Sequence, residues 1–306
     1  MNKADMMALV AQLAMEVDKP PMEIQPTAKG VYTPTAVGPE ARDYHHSDGD
    51  FVEDVSELDL RKLYLTDSPE NRANFAILKE KTPARLGCGK AGPRYKTLTM
   101  LRFRADHAAA QDSVFSQLPE DFGEKNGLIS VQTMCRSKDE YLTRPDLGRK
   151  FDETTAAVLA RELPQGAKVQ IVVGDGLSSE AIRANAMPCV EAIRKGLAKR
   201  GIDCGKIPFV RYCRVGAGDA IGDITGCQVV CILVGERPGL VTNESMSAYI
   251  TYQPRTGVSE SRRTVVSNIH AQGIPADKAG EQIAGLLELI LRKRVSGVEL
   301  HLEDGK

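Results

Sequence analysis

The sequence lacks several features that mark common classes of protein. Its 306 residues contain no tryptophan, and its seven cysteines include no C-x-x-C pair. An odd number of cysteines without that spacing argues against a disulfide framework and against a structural zinc site. The apolar runs, such as the one around Cys231, are far shorter than the roughly 20 residues that span a bilayer. We therefore expect a reduced, cytoplasmic protein with no membrane partner.

The overall charge favours no polyanionic partner. Forty lysines and arginines are balanced by 41 aspartates and glutamates, which leaves a formal charge of -1. Nucleic-acid-binding proteins and proteins that bind anionic membranes usually carry a clear basic excess. We therefore expect no nucleic-acid partner, and any other partner has to be inferred from local sequence.

The sequence also lacks the common catalytic motifs. Its five histidines show no H-x-x-x-H spacing, and neither a G-x-S-x-G nucleophile motif nor a G-x-x-x-x-G-K-[ST] phosphate loop occurs. We expect no catalytic residue and no metal ligand in this chain. Composition and pattern by themselves predict a soluble α/β protein with a cofactor-sized cleft and no recognisable catalytic residues.

The first half of the chain divides into three regions. Residues 1–18 place apolar side chains at helical spacing and predict an amphipathic helix, which is either a frayed terminus or a docking element. Residues 19–52 are rich in Pro, Gly and Thr without any period, which predicts a flexible linker. Residues 53–115 predict a small helical domain whose second helix runs from about Thr97 to Phe115.

Residues 116–306 alternate apolar runs with helical patterns. The runs at 169–173, 207–213, 228–235 and 248–254 predict strands, and helices lie between the first three of them. A helix reaching Arg200 contains Pro188, which should kink or interrupt it. This order predicts an α/β fold, with a small N-terminal helical domain followed by a Rossmann-like, mostly parallel sheet that has helices on both faces.

Glycine-rich loops follow three of these strands, at residues 174–179, 214–219 and 235–240. Ligands of such sheets bind outside the carboxyl ends of the strands, where neighbouring loops meet. The three loops therefore predict a binding cleft at one edge. Taken singly, each could be an ordinary turn in which Asp175 or Ser178 caps a helix.

A G-x-G-x-x-G pattern occurs at Gly87, Gly89 and Gly92. A true dinucleotide fingerprint needs a buried strand before its first glycine, whereas here a helix is predicted to precede it. We interpret the segment as a turn between helices. A nucleotide-dependent oxidoreductase that uses the predicted cleft stays open as an alternative function.

Several longer strings resemble one enzyme family. In order along the chain they are TPARLGCGKAGPR, LRFRADHAAAQDSV, YLTRPDLGRK, VVGDGLSSEAI, FVRYCRVGAGDAIGDITG, LVGERPGL and SNIHAQG. Over roughly residues 54–300 they are similar to the small subunit of adenosylcobalamin-dependent ethanolamine ammonia-lyase. The resemblance implies a lyase that forms acetaldehyde and ammonia by radical chemistry. In this family a large TIM-barrel subunit binds the substrate, and the small subunit closes the cobalamin site in a hetero-oligomer.

The resemblance also implies the cofactor-binding residues. The family contacts adenosylcobalamin at positions that correspond to Val215, Glu236 and Val265 of this chain. Family members carry cysteine at the third position, so Val265 preserves a van der Waals contact and removes any contact specific to a thiol. The sequence contains no D-x-H-x-x-G motif, which agrees with the family's base-on mode of cobalamin binding.

The N-terminal region acquires a role from the same resemblance. Residues 1–18 followed by a flexible linker look like the encapsulation peptide of relatives that work inside a bacterial microcompartment. This implies a cytoplasmic protein within such a compartment, with shell proteins as further partners. A non-catalytic microcompartment adaptor is the second alternative function.

Overall fold

The computed structural model describes residues 54–66 and 71–302, which belong to one compact unit. The predicted N-terminal helix at 1–18 and the predicted linker at 19–52 lie outside these ranges. The described part begins with a 3-10 turn, Val55–Glu57, followed by helix α1, Arg72–Glu80. Asn71 caps α1 by accepting a hydrogen bond from the backbone N–H of Asn74.

The glycines of the G-x-G-x-x-G pattern lie between two helices, with Gly87 and Gly89 before a short hairpin and Gly92 in its turn. Strands β1, Lys90–Ala91, and β2, Arg94–Tyr95, form the hairpin, and α2 follows it at Thr97–Phe115, as predicted. All three glycines have positive φ angles. A Cβ at Gly89 would lie 2.0 Å from the carbonyl oxygen of Leu65, so only glycine fits there. The pattern reflects local packing and has no strand of the described sheet leading into it.

A six-stranded sheet forms the centre of the molecule. Its strands are β3 Ile129–Gln132, β4 Val169–Gly174, β5 Pro208–Arg211, β6 Val229–Gly235, β7 Met246–Tyr252 and β8 Arg263–Ile269. Their spatial order is β3-β5-β4-β6-β7-β8. The first four are parallel, and β7 and β8 continue the sheet as antiparallel strands. The predicted α/β fold with a mostly parallel sheet is confirmed.

Helices cover both faces of the parallel part. They are α3 Phe122–Lys125, α4 Lys138–Thr143, α5 Glu153–Glu162, α6 Ser179–Ala198, α7 Ala217–Thr225, α8 Ala276–Lys293 and α9 Val298–Leu302, with 3-10 turns at Leu147–Arg149 and Glu260–Arg262. Helix α6 continues through Pro188, so of the expected kink or interruption, the interruption is wrong. Ser178 caps α6 by accepting from the N–H of Ala181, as the turn interpretation predicted. Among the described helices, none combines the length and apolarity needed to cross a membrane.

Side-chain alternation divides the interior into two cores. Ile171, Cys231 and Ile250 point to the face packed by α6 and α8. Val172 and Ile232 point to the opposite face, where α5 and α7 cover them. Each face buries apolar surface because successive strand residues point in opposite directions. We call the second interior the α5–α7 core.

Candidate functional site

The three predicted loops do meet at one edge of the sheet. Strands β5, β4 and β6 are neighbours and parallel, so their carboxyl ends lie side by side. The backbone N–H of Cys213 donates to the carbonyl of Asp175 at 2.8 Å. A Cβ at Gly176 would lie 2.5 Å from Val234, and one at Gly235 would lie 2.1 Å from the carbonyl oxygen of Ser178. The glycines therefore allow the loops to pack against one another.

The polar groups of the first loop are used inside the protein. Asp175 is buried and accepts a hydrogen bond from the Ser179 hydroxyl at 2.7 Å, and burial raises the pKa of its carboxyl. The ammonium of Lys138 donates to the carbonyl of Gly176 at 3.0 Å, and burial lowers the pKa of Lys138. The Tyr141 hydroxyl donates to the carbonyl of Cys213 at 3.1 Å. These side chains occupy the crevice between the ends of β4 and β5.

The filling of that crevice bears on function. Helix α6 leaves β4 toward one face and α7 leaves β5 toward the other, so this is the switch point where open α/β sheets usually bind ligands. Here Lys138 and Tyr141 of the chain itself fill it. The predicted cleft is therefore not centred on the first loop, and a nucleotide at the usual position would meet these side chains.

Val215 lies in the second loop, just before α7. It is half-buried and packs against the α5–α7 core. Asp219, in the first turn of α7, forms a two-point ion pair with Arg263 of β8 at 2.9 and 2.7 Å. The two side chains are 6% and 4% exposed, and Arg263 also bonds Glu260 at 2.6 Å. This pair fixes the start of α7, and Val215 with it, relative to β8.

Glu236 begins the third loop, directly after β6. Its Oε2 accepts from the Ser245 hydroxyl at 2.9 Å, while its Oε1 accepts from the Ser247 hydroxyl and from the backbone N–H of Asn268 at 3.3 Å. The half-buried carboxylate thus ties the loop to β7 and to the end of β8. Oε2 has only one of these partners, which leaves it the capacity to accept a further donor.

Val265 lies on β8 and is 45% exposed. It pairs directly with Tyr249 of β7, which in turn pairs with Ile232 of β6. Directly paired residues share one face of a sheet, here the face that carries α7. Tyr249 is half-buried and packs against the α5–α7 core, as Val215 does.

These residues together form a partly open surface that we call the shelf, made of Val215, Glu236, Tyr249 and Val265. The Glu236 carboxylate is close enough to Tyr249 to help raise the pKa of its phenol, to which burial contributes most and Glu260 contributes least. Ser247, which Glu236 binds, lies on the same face as Tyr249 two residues away. Glu236 and Val265 thus both neighbour Tyr249, and Val215 packs against the same core as Tyr249.

Sequence analysis missed Tyr249 and the two serines that hold Glu236. The available signal was the alternation of side-chain direction along the strand Met246–Tyr252. Ser247 and Tyr249 point to the face opposite to that of Met246, Ala248 and Ile250, which are buried. Which face these positions meet is set by strand pairing. The strand sequence alone therefore indicates that two faces exist without indicating which one is open.

Two cavities lie away from the shelf. One of about 650 Å³ is on the outer side of α6 and α8, beside Glu191, Lys195 and Glu281. Another of about 260 Å³ lies beside Arg85, Arg102 and the exposed Leu240 and Val241. Among residues 54–66 and 71–302, no group of three or more His, Cys, Asp or Glu side chains converges to hold a metal ion.

Comparison with known proteins gives the family. The model of the ethanolamine ammonia-lyase light chain matches residues 72–301, which is more than half of the chain. The chain belongs to the ethanolamine ammonia-lyase light-chain family. The matched range of this light-chain family contains all four shelf residues.

Curated members of the family cover most of this chain. An ethanolamine ammonia-lyase small subunit of Clostridium perfringens is 55% identical over 251 residues, which are 82% of this chain and 85% of that protein. The small subunit of Clostridioides difficile is 55% identical over 249 residues, or 81% and 85% of the two chains. That of Listeria monocytogenes is 54% identical over 249 residues, with the same shares.

Proposed function

We propose that this chain is the small subunit of an adenosylcobalamin-dependent ethanolamine ammonia-lyase, in which it closes the cobalamin site. The shelf is the observation that carries the proposal. Val215 comes from a loop before α7, Glu236 from the loop after β6 and Val265 from β8. Tyr249 neighbours Glu236 and Val265 and packs against the same core as Val215, which supports a common ligand.

The chemistry of the shelf fits a corrin. A corrin ring has apolar edges and many carboxamide side chains, so its site needs van der Waals surfaces together with hydrogen-bond acceptors. Val215 and Val265 offer the former, and Oε2 of Glu236 offers the latter. Three internal donors hold the Glu236 carboxylate in place before any ligand arrives, which lowers the ordering cost of binding.

Val265 takes the place of the cysteine that the family resemblance implies at this position. An exposed valine on a strand offers branched apolar surface of similar reach, so the contact with the corrin would be one of packing. This interpretation assigns no thiol chemistry to the position.

The residues of this chain suit cofactor binding, which leaves substrate binding to the large subunit. When bound, adenosylcobalamin would supply the cobalt–carbon bond on which the radical conversion of ethanolamine to acetaldehyde and ammonia depends. This chain binds and orients one side of the corrin and keeps water from it. A large TIM-barrel subunit holds the substrate in the hetero-oligomer, which agrees with the lack of catalytic motifs in this sequence.

Co-expression tests the proposal. The chain is produced together with a large subunit of the same enzyme family, and cobalamin-dependent release of acetaldehyde and ammonia is measured with and without this chain. We expect activity and tight cobalamin binding only when both subunits are present. Equal activity of the large subunit alone would contradict the proposal.

Substitution of Glu236 tests the site. Glu236→Ala removes an acceptor and releases the loop from β7 and β8, so we expect cobalamin affinity to fall about tenfold. Turnover at saturating cofactor should change less. Glu244→Ala is the matched control, because Glu244 is an exposed carboxylate in the same loop. An unchanged cobalamin dissociation constant in Glu236→Ala would remove Glu236 from the site.

The N-terminal residues support a proposal about location. We infer from the amphipathic pattern at 1–18 and the period-free stretch at 19–52 that this region directs the enzyme into a bacterial microcompartment. Deleting residues 1–20 should leave the activity of the purified complex intact and abolish its association with shell proteins. Loss of activity in the truncated complex would count against this role.

A further inference from the structure

We propose that Tyr249 is an additional cofactor-contacting residue, whose ring forms the floor of the shelf and whose hydroxyl hydrogen-bonds an amide of the corrin. The inference rests on the proposed function, since it names a further residue of the same site. It does not depend on the role of Glu236 or on the N-terminal segment.

The position of Tyr249 in the sheet is the first support. It lies between Ile232 of β6 and Val265 of β8, paired directly with each. Ile232 is covered by the α5–α7 core, whereas Val265 is 45% exposed. Tyr249 therefore lies where the part of the sheet covered by α5 and α7 ends. A ligand that contacts Val265 would extend over the ring of Tyr249.

The hydroxyl of Tyr249 is the second support. Within the described part of the chain, this hydroxyl makes no hydrogen bond, although the side chain is half-buried. The oxygen is not one of the buried side-chain atoms that lack a partner, so it is open to solvent and can take a partner from a ligand. A corrin carboxamide would provide one, because it offers both an N–H donor and a carbonyl acceptor.

The charge state of the phenol suits such a contact. Burial raises the pKa of Tyr249, and the Glu236 and Glu260 carboxylates add to the effect. The phenol therefore stays neutral at physiological pH and can both donate and accept. A neutral group also avoids the cost of desolvating a charge when the corrin covers the shelf.

Tyr252 supplies an internal comparison. It lies three residues further along β7 and packs against the core under α6 and α8, on the other face of the sheet. Its hydroxyl likewise makes no hydrogen bond to a described residue. The two tyrosines therefore share strand and residue type, neither hydroxyl bonds a described residue, and they differ in the face that they occupy.

The experiment measures cobalamin binding in the reconstituted complex with the large subunit, by absorbance titration and equilibrium dialysis with cyanocobalamin. Tyr249→Phe removes only the hydroxyl, so we expect the dissociation constant to rise about threefold to tenfold. Tyr249→Leu also removes the aromatic surface and should weaken binding further. Tyr252→Phe should bind as the wild type does.

The outcomes separate this inference from the proposed function. If the wild-type complex does not bind cyanocobalamin, the proposed function fails. If the wild type binds and Tyr249→Phe binds equally tightly, the hydroxyl contact is wrong while the proposed function stands. An equal loss in Tyr249→Phe and Tyr252→Phe would also overturn the inference, because it would show a general effect on β7.

Discussion

The parallel and antiparallel parts of the sheet differ in how far the polar side chains described above are buried and hydrogen-bonded within the protein. At the ends of β4 and β5, Asp175 and Lys138 are buried and bonded to the protein itself. On β7 and β8, the Tyr249 hydroxyl is without a partner among the described residues, and Val265 is 45% exposed. The parallel part is covered on both faces, whereas beyond α7 the antiparallel part has one face that is only partly covered.

The difference is the reason why we propose a ligand site away from the usual position in this fold. Open α/β sheets usually bind ligands at the switch point between strands whose connections leave for opposite faces. Here that crevice is filled, and the added antiparallel strands provide another surface next to it. The Asp219–Arg263 ion pair links the two parts, because it joins the start of α7 to β8.

The largest effect is expected from breaking that link. Asp219→Ala leaves the buried guanidinium of Arg263 with Glu260 as its remaining carboxylate partner, so we expect the free energy of unfolding to fall by about 3 kcal/mol. Urea unfolding of the purified chain measures it.

The control for this prediction is an exposed ion pair. Arg200 and Glu288 join α6 to α8 at 2.9 Å, with side chains that are 31% and 50% exposed. Glu288→Ala should cost less than about 1 kcal/mol. If Asp219→Ala costs no more than Glu288→Ala, the buried pair does not link the two parts as argued.

A smaller effect is expected from the thiols, which lie outside β7 and β8. Burial raises the pKa of Cys189, in α6, from an ordinary 9.0 to about 12. Between these values the folded state keeps a proton that the unfolded state loses, so stability is intact below pH 9 and falls as the pH rises. At pH 10 the loss from this thiol is about 1.4 kcal/mol.

Cys189→Ala isolates this contribution. Urea unfolding at pH 8 and pH 10 gives the decline for the wild type and for the variant, and the difference between the two declines removes the cost of the lost side-chain volume. The variant should decline less by about 1 kcal/mol. An identical decline would show that the Cys189 thiol does not keep its proton in the folded state.

The smallest effect is expected on cofactor binding when a side chain that fills the crevice between β4 and β5 is replaced. Lys138→Met removes the hydrogen bond to Gly176 in the parallel part and leaves the shelf untouched. The cobalamin dissociation constant of the complex should change less than about twofold, a difference below about 0.4 kcal/mol. A tenfold change would contradict the assignment of the cofactor to the antiparallel side.

Much of the fold could be predicted from local patterns. The continuous apolar run around Cys231 marked a buried central strand, and the helical period from Thr97 to Phe115 marked α2. The ends of β4, β5 and β6 followed from their glycines, which also located Val215 and Glu236 in loops at one edge. These features are local, because each depends on residues within one element.

Other features depended on pairing between distant segments. No strand was predicted for Arg263–Ile269, whose buried and exposed positions make sense only beside β7. The switch-point crevice had the sequence signs of a binding site, yet Lys138 fills it from 38 residues away along the chain. A local sequence pattern does not indicate which distant side chain fills a crevice of this kind.

The sequence by itself determined the alternation of strands and helices, the family resemblance and the candidate residues Val215, Glu236 and Val265, because periodicity and motif are properties of neighbouring residues. Only the tertiary structure decided that the usual crevice is closed and that Tyr249 shares one face of the sheet with Val265. Strand pairing sets which side chains share a face, and it joins segments that are far apart in the chain.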